Sequence, residues 1–268
     1  MPRRDAVPLY KSRHAAFVKA AHEASDPDRS TVSLLTIGTG ARADTICHTH
    51  SSWFRYKPNG SLYYKIPSSD PCRKYGNTEP CGDCNKSNHK EYGPKTPAGE
   101  GREILISNEW SNPVTGEREY FGLKDMVESY FALDGTHAPD GVQHGHEMFQ
   151  GHQPGICIGT LSDWIRDIAA QADISADLRE DRIREVITVE EDRNIDQIKH
   201  FGTDADGNEI PDLFAHDMRA TFCTHLMRNE VPQSKAIIKT GHETPESMQP
   251  YVNFAEDEID STEEAMFY

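Results

Sequence analysis

The chain has 268 residues and carries 28 Lys and Arg against 44 Asp and Glu, a net charge of −16. It contains no apolar run long enough to cross a membrane, and Met1-Pro2-Arg3-Arg4 leads into no hydrophobic signal core. We therefore expect a cytoplasmic protein with no membrane partner. Six cysteines without a secretory signal indicate reduced thiols or metal ligands rather than a disulfide framework.

The N-terminal part is predicted to be helical. His14 to Ala24 forms a first helix, and Ser30 to Ile37 forms a second, apolar helix. The sequence Gly38-Thr39-Gly40 ends this second helix, because glycine disfavours its continuation. Arg42 is then expected to begin a third helix.

Strands are predicted on both sides of a glycine-rich segment. Trp53 to Pro67 and Glu103 to Ser107 are rich in the aromatic and aliphatic residues typical of strands. Between them, Lys95 is followed by a Gly-rich turn and then by Arg102, which leads into the second strand. This order predicts a β-hairpin that carries Lys95.

A cysteine-rich insert is predicted over residues 68–94. The segment is rich in Gly, Asn, Lys and Pro and cannot bury a core of its own, so a metal ion would stabilise it. Its cysteines and one histidine are the ligand types of a structural, non-catalytic Cys3His zinc site. The predicted ligands are Cys72, Cys81, Cys84 and His89.

Two alternatives to this metal site stay open. The insert could be a flexible loop that holds three incidental cysteines. Further ligands are also available just before the strands, where Cys47 is followed by His48 and His50.

Two amphipathic helices are predicted after the strands, the second of them capped by Thr160. Their apolar stripes have the spacing of core residues rather than of cofactor contacts. The stripes consist of Leu123, Met126, Val127, Tyr130 and Phe131 in the first helix, and Leu161, Trp164, Ile165, Ile168 and Ala169 in the second.

The C-terminal quarter is predicted to contain a helix with two polar groups on its open side. Apolar residues recur at every fourth position from Phe214 to Leu226, which gives one apolar stripe. His216 and Arg219 are three residues apart, so they are predicted to share the side opposite the stripe.

A second helix is predicted to begin at Val231-Pro232 and to end at Gly241, which leaves His242 just beyond it. Thr244-Pro245 is a further helix start, about two turns before Tyr251. Proline disfavours helical geometry in the residue before it, so Pro250 predicts a short, broken or mobile segment at the tyrosine.

The order Arg42, His216-x-x-Arg219, Gly241-His242, Tyr251 resembles the catalytic domain of the tyrosine recombinases, the phage integrase family. The resemblance is specific over residues 34–42 and 211–253 and looser between them. It implies an α+β, mainly α fold with a small antiparallel β-sheet and, here, the cysteine-rich insert. We expect residues 1–268 to form one such domain.

The resemblance also implies roles. Arg42 and Arg219 would hold the scissile phosphate, and His216 and His242 would hydrogen-bond it and assist proton transfer. Tyr251 would attack, leaving a 3′-phosphotyrosine and a free 5′-OH, with no metal or nucleotide cofactor for the chemistry. The family's general acid is a lysine on a β-hairpin; Lys95 is the best match and Lys65 is its rival.

The implied function is site-specific cleavage and rejoining of double-stranded DNA by a homotetramer. Two features depart from the family pattern. A glutamate usually follows three residues after the first arginine, where this chain has Thr45. Only 41 residues precede Arg42, too few for the separate helical DNA-clamping domain, which we expect to be absent.

Charge is distributed unevenly along the chain. Residues 52–102 contain nine Lys or Arg and five Asp or Glu, a net of +4, so the remainder carries −20. A basic segment around Lys95 is consistent with phosphate contacts. Acidic excess elsewhere is typical of halophilic proteins, and we expect a haloarchaeal mobile element as the source.

Rival interpretations remain. The chain could be a non-catalytic DNA-binding remnant of an integrase, or a type IB topoisomerase-like relaxing enzyme with the same chemistry. It could also be an acidic enzyme that binds no nucleic acid. Binding alone does not require Arg42, Arg219 and Tyr251 together, which favours the recombinase.

Overall fold

The computed structural model describes residues 6, 8–72, 80–85, 91–131, 133, 156–174 and 213–256. Over these ranges the protein is α+β and mainly helical, with small antiparallel sheets, as predicted. None of the helices in this part of the chain has the length and apolar character needed to cross a bilayer.

A buried helix, α2 (Pro27–Thr39), occupies the centre of the helical core and packs against α1 (Lys11–Glu23). The Asp26 carboxylate caps its N-terminus by accepting from the Asp28 N–H. At its other end Gly40 adopts a left-handed conformation, with φ of 57°. Gly38 lies inside the helix, where a Cβ would come within 2.8 Å of Phe121 and Leu123. The predicted Gly-Thr-Gly stop therefore acts through Gly40.

Two shorter helices follow α2 along the chain. Helix α3 (Ala43–Cys47) begins after Arg42 and ends at His48, and α4 (Gly82–Asn85) lies in the cysteine-rich insert. Four longer helices in the described ranges are α5 (Leu123–Phe131), α6 (Ile158–Gln171), α7 (Ala215–Arg228) and α8 (Gln233–Thr240).

The cap of α6 differs from the prediction. The helix begins at Ile158, and Cys157 rather than Thr160 is its N-cap residue. The Cys157 sulfur accepts from the Thr160 N–H, so Thr160 lies in the first turn. The predicted apolar stripes of α5 and α6 are confirmed as core, with Leu123, Val127 and Ile165 at most 1% exposed.

The main sheet has three antiparallel strands, β1 (Phe54–Tyr56), β2 (Leu62–Lys65) and β5 (Glu103–Ile106), in the order β1-β2-β5. The predicted strand over residues 53–67 is thus two strands, because a turn at Gly60 with φ of 78° separates them. Four further strands in the described ranges form two antiparallel pairs, β3 (Asp70–Pro71) with β4 (Glu91–Tyr92) and β6 (Glu109–Ser111) with β7 (Arg118–Tyr120).

The connection between β2 and β5 holds the cysteine-rich insert. It leaves the sheet at Ile66, whose N–H donates to the Arg102 carbonyl, and returns through a 3₁₀ turn at Pro97–Gly99. Lys95 therefore lies in the returning limb of a long insertion rather than in a tight hairpin.

A second, smaller apolar cluster supports the C-terminal elements. Phe222, Cys223 and Leu226 of α7 pack there with Ala236 and Met248. Residues 245–248 form a 3₁₀ turn that continues directly into a helix over residues 249–256. The second cluster thereby fixes the segment that carries Tyr251.

The prediction that Pro250 breaks this helix is wrong. Gln249, the residue before it, has helical φ and ψ of −55° and −41°. Pro250 falls in the first turn, where its missing N–H needs no carbonyl partner. The helical geometry therefore continues through Tyr251.

Candidate active site and metal centre

Arg219 joins the C-terminal ends of two helices. Its Nη1 donates to the Gly40 carbonyl at 2.6 Å, at the end of α2, and its Nη2 donates to the Thr240 carbonyl at 2.7 Å, at the end of α8. These carbonyls lie at the negative ends of helix dipoles, so a cation is favourable there. Arg219 is only 1% exposed, and the prediction of an open side was wrong for it.

His242 lies beside this guanidinium in a defined protonation state. Thr240 Oγ1 donates to the Ala236 carbonyl at 2.8 Å and lies 2.6 Å from His242 Nδ1, so Nδ1 must carry a proton. The other ring nitrogen, Nε2, faces Arg219 Nη2 at 3.5 Å. Burial, and then the charges of Arg219 and Arg42, lower the pKa of His242 to about 3. The imidazole is therefore neutral at physiological pH.

Tyr251 adjoins the same pair. Its ring centroid lies 5.7 Å from that of His242, with the planes tilted by 53°. Burial lowers the pKa of Arg219, and the neighbouring Cys223 and Tyr251 partly oppose this effect. The tyrosine ring is half-buried against the second apolar cluster.

Arg42 approaches from α3 and the insert. It is the N-cap residue of α3, is only partly buried, and donates from Nη1 to Thr96 Oγ1 at 3.3 Å. Its charge lowers the pKa values of both Arg219 and His242, which places the three groups in one electrostatic site. Arg42, Arg219, His242 and Tyr251, from four separate segments, are thus brought together.

Two predicted residues lie at the edge of this site. His216 is exposed in the first turn of α7, and its charge contributes to the lowered pKa of His242. Lys95 is also exposed, next to the Thr96 that bonds Arg42. Lys65 is exposed on β2 opposite Glu103.

The site has no acidic counterpart among the residues described here: none of its arginines forms an ion pair with a carboxylate in that part of the chain. Thr45, in the place of the family's glutamate, is buried and accepts from the Tyr92 hydroxyl at 2.9 Å. Within the described ranges, the positive charge of this site therefore has no neutralising carboxylate.

Sequence reasoning missed one guanidinium at this site. Arg102 is 7% exposed, and burial together with the charges of Arg219 and Arg42 lowers its pKa to about 10. A signal was available in the alternation of residues along the strand. Arg102 shares one face with Ile104 and Ile106, and this face is buried, whereas Glu103 and Leu105 are exposed. Burying a cation costs free energy, so an arginine on the buried face of a strand is expected to have a partner or a function.

A second polar cluster lies at the opposite end of α3. One nitrogen of His48 and the sulfurs of the three insert cysteines all lie within 4.8 Å of one another. His48 therefore stands where His89 was predicted; His89 lies outside the described residues. The cluster consists of His48, Cys72, Cys81 and Cys84.

The geometry of the cluster fits zinc. His48 Nε2 lies 3.4 Å from both Cys81 Sγ and Cys84 Sγ. Tetrahedral zinc, with bonds of about 2.3 Å to sulfur and about 2.0 Å to nitrogen, separates such atoms by roughly 3.5 Å. His48 Nδ1 contacts the Asp44 carbonyl at 2.7 Å, which leaves Nε2 for the metal. Burial opposes ionisation of Cys81, but hydrogen bonds from Cys84 and His48 lower its pKa to about 7.

No family model and no curated relative matches the chain. Solved structures do resemble it, at low identity. XerA recombinase has 15% identity and a TM-score of 0.53 over 98% of this chain and 66% of its own. XerH site-specific recombinase, bound to a palindromic difH substrate after cleavage, has 10% identity and a TM-score of 0.55, with 99% and 54% covered.

Tn1549 transposon integrase, in complex with transposon right-end DNA, has 12% identity and a TM-score of 0.50, with 93% and 62% covered. This chain therefore spans between 54% and 66% of the length of these three structures. At such identities the likeness concerns the fold. The protein has the fold of tyrosine recombinase catalytic domains, with a cluster of three cysteines and a histidine that can hold a metal ion.

Proposed function

We propose that the protein is a site-specific DNA recombinase, or integrase, that cleaves and rejoins double-stranded DNA through a covalent 3′-phosphotyrosine. One observation carries the proposal: Tyr251 and the neutral His242 lie beside the buried Arg219 and the partly buried Arg42, neither of which has a carboxylate partner in the described part of the chain. A phosphodiester is the anion that this combination of donors and nucleophile suits.

The arginines supply electrostatic stabilisation. Among the described residues Arg42 donates one long hydrogen bond, to Thr96, so its other donors are available for the non-bridging oxygens of a phosphate. Arg219 is held rigidly by two carbonyls and contributes its remaining donors and its charge. Preorganised donors of this kind stabilise the negative charge that grows in the transition state.

The covalent step exchanges one phosphoester for another. The Tyr251 oxygen attacks phosphorus and loses its proton, the bond to the 5′-oxygen breaks, and that oxygen leaves as a hydroxyl. His216 hydrogen-bonds the phosphate. His242 has an unprotonated Nε2, so it assists by taking up the proton that Tyr251 loses and then donates that proton in a hydrogen bond to the phosphate. Because the bond energy is kept in the phosphotyrosine, a 5′-hydroxyl from a second strand can reverse the reaction and complete the exchange.

Lys95 is the proposed general acid for the leaving 5′-oxygen. The next residue, Thr96, contacts Arg42, whereas Lys65 is paired in register with Glu103 on the main sheet. A substrate with sulfur in the 5′-bridging position needs no proton at that atom. Cleavage by Lys95→Ala should therefore recover with this substrate while Tyr251→Phe should not; recovery by Lys65→Ala instead would assign the role to Lys65.

Double-stranded DNA is the proposed partner, bound by a homotetramer, and the net +4 over residues 52–102 supports contact through the insert side. The proposed structural zinc is held by His48, Cys72, Cys81 and Cys84. It stabilises the insert and takes no part in the covalent chemistry.

The test is covalent capture from a library of duplexes with a randomised core and a nick next to each candidate cleavage position. The nick lets the short 5′ product diffuse away, so the phosphotyrosine accumulates. We expect wild-type protein to yield a denaturant-resistant adduct that is absent with Tyr251→Phe. The matched control is Tyr56→Phe, an exposed tyrosine of β1.

Each outcome is informative. Salt-dependent binding without an adduct from any library member would overturn the proposal in favour of a DNA-binding remnant. Adducts without sequence enrichment, together with relaxation of supercoiled DNA by monomers, would identify a relaxing enzyme. Enriched sequences that assemble a tetramer support recombination.

A further inference from the structure

Arg102 is a buried cation whose donors are not all used. Two of its nitrogens, Nε and Nη1, have no hydrogen-bond partner among the described residues, although the side chain is only 7% exposed. Burying an unpaired guanidinium is costly, and most buried donors in native proteins are paired. A folded protein that keeps such a group is expected to use it.

The position of Arg102 links the insert to the active site. A Cβ added to Gly241 would lie 3.2 Å from Arg102 Nη1 and the same distance from the Gly99 Cα. A Cβ added to Gly99 would in turn lie 3.7 Å from Arg42 Nη1. Arg102 therefore lies against the glycine that precedes His242, with Arg42 on the other side of Gly99.

Three guanidinium groups affect the pKa values of the same two side chains. Arg42, Arg102 and Arg219 all lower the pKa of His242, and all three oppose the larger effect of burial on the pKa of Cys223, which rises to about 11. Like charges at this distance repel, and no carboxylate in the described ranges pairs with any of them.

The donors of Arg219 are also partly committed. Its two terminal nitrogens each donate to a helix-end carbonyl. A phosphodiester presents two non-bridging oxygens with several lone pairs, which can accept from a third guanidinium as well as from Arg219 and Arg42. The unpaired Arg102 nitrogens, beside Gly241, are a further source of donors at this site.

We propose that Arg102 is a third phosphate-binding arginine, which donates through its unpaired nitrogens to the same DNA phosphate that Arg42 and Arg219 hold. The identity of the ligand as DNA rests on the proposed function; the anion site itself does not. A bound phosphate would pair the free donors and relieve the repulsion among the three cations.

The first test measures anion binding without catalysis. Thermal unfolding is followed against inorganic phosphate in place of chloride, at matched ionic strength, for wild type, Arg102→Gln, Arg102→Lys and Arg118→Gln. Arg118 is an exposed arginine of β7, paired with Glu109, and serves as the control. We expect wild type and Arg118→Gln to be stabilised by phosphate, and Arg102→Gln to lose at least about tenfold in phosphate affinity.

The same experiment separates a binding role from a structural one. In chloride alone, Arg102→Gln should unfold at the same or a higher temperature than wild type, because it removes an unpaired buried charge. A structural arginine would show the reverse. Lower stability in chloride with an unchanged phosphate response would overturn the proposal.

The second test uses DNA. With a substrate that wild type cleaves, Arg102→Gln should slow adduct formation by about 100-fold, with Arg102→Lys between the two, as expected for loss of a preorganised donor. Absence of an adduct in wild type would count against the proposed function only. Loss of the phosphate response in Arg102→Gln would still establish the anion site, and a wild-type rate in that variant would exclude it from the reaction.

Discussion

The two polar clusters lie at opposite ends of the same short helix and are held together by different means. At the start of α3, Arg42 joins a cluster whose other members are fixed by helix ends and apolar packing, as Arg219 is by the carbonyls of Gly40 and Thr240. At its end, His48 meets three cysteines from an insert with little apolar content. The first site is shaped by the fold before the proposed anion binds, whereas the second would depend on the proposed metal ion to hold the insert in place.

Metal removal should give the largest effect. If zinc binds the cysteine cluster, a free concentration 1,000-fold above Kd contributes about 4 kcal/mol to the free energy of unfolding. We expect one zinc per chain by atomic emission, and its loss on chelation or in Cys84→Ser, with destabilisation to match. Cys157→Ser, at an exposed cysteine outside the cluster, is the control.

The same assay decides the fourth ligand. His48→Ala should lose zinc and His89→Ala should keep it. Retention of zinc by His48→Ala would contradict His48 as the fourth ligand. A protein that contains no metal after purification from zinc-containing medium would contradict the stabilising role assigned to the cluster.

The next largest effect separates the two arginines. Arg219→Ala leaves two buried helix-end carbonyls without a donor and should cost roughly 3 kcal/mol of unfolding free energy. Arg42→Ala loses one long hydrogen bond at a partly exposed position and should cost less than about 1 kcal/mol. Equilibrium denaturation measures both; equal costs would contradict the structural role of Arg219.

Acid should lower the free energy of unfolding through His225, a histidine of α7. Burial, followed by the charge of Arg228, lowers the pKa of His225 to about 4, from the 6.5 that the unfolded chain has. The unfolded state then takes up the proton first, so this stability is present above pH 6.5 and is lost as pH falls towards 4. At pH 5 the loss is roughly 2 kcal/mol.

Removing the titrating group should flatten this pH dependence. His225→Gln should lose less stability between pH 7 and 5 than wild type, while His22→Gln, at an exposed histidine of α1, should behave as wild type. Denaturant midpoints at the two pH values provide the measurement. An unchanged slope in His225→Gln would show that other groups carry the acid response.

The smallest effect compares two glycines with positive φ. Gly60→Ala meets open space and should cost only the conformational strain, about 1 kcal/mol. Gly241→Ala has the same strain and also crowds Ala98, Gly99 and Arg102 at 3.2 Å, so it should cost about 2 kcal/mol. Equal losses of unfolding free energy in the two variants would mean that the backbone around Gly241 shifts to accommodate the added methyl group without disturbing the arginines.

Local patterns predicted much of this molecule. Four-residue periodicity identified the helices around Val127, Ile165 and Phe222, and the order of polar residues identified which groups to look for. The sheet was predicted only in part, because propensity alone does not locate a turn: the continuous strand over residues 53–67 is interrupted at Gly60. Helical geometry at Gln249 was missed because the proline rule ignores where a helix begins.

By itself, the sequence determined which side chains are available, namely the arginines, histidines, tyrosine and cysteines, and the helices that carry most of them. Only the tertiary structure decided which of them meet. His48 joins Cys72 although 24 positions separate them, Arg219 is buried between two helix ends, and Arg102 turns into the site. The physical reason is that periodicity reports whether a residue is buried, whereas its partners are chosen by how distant segments pack.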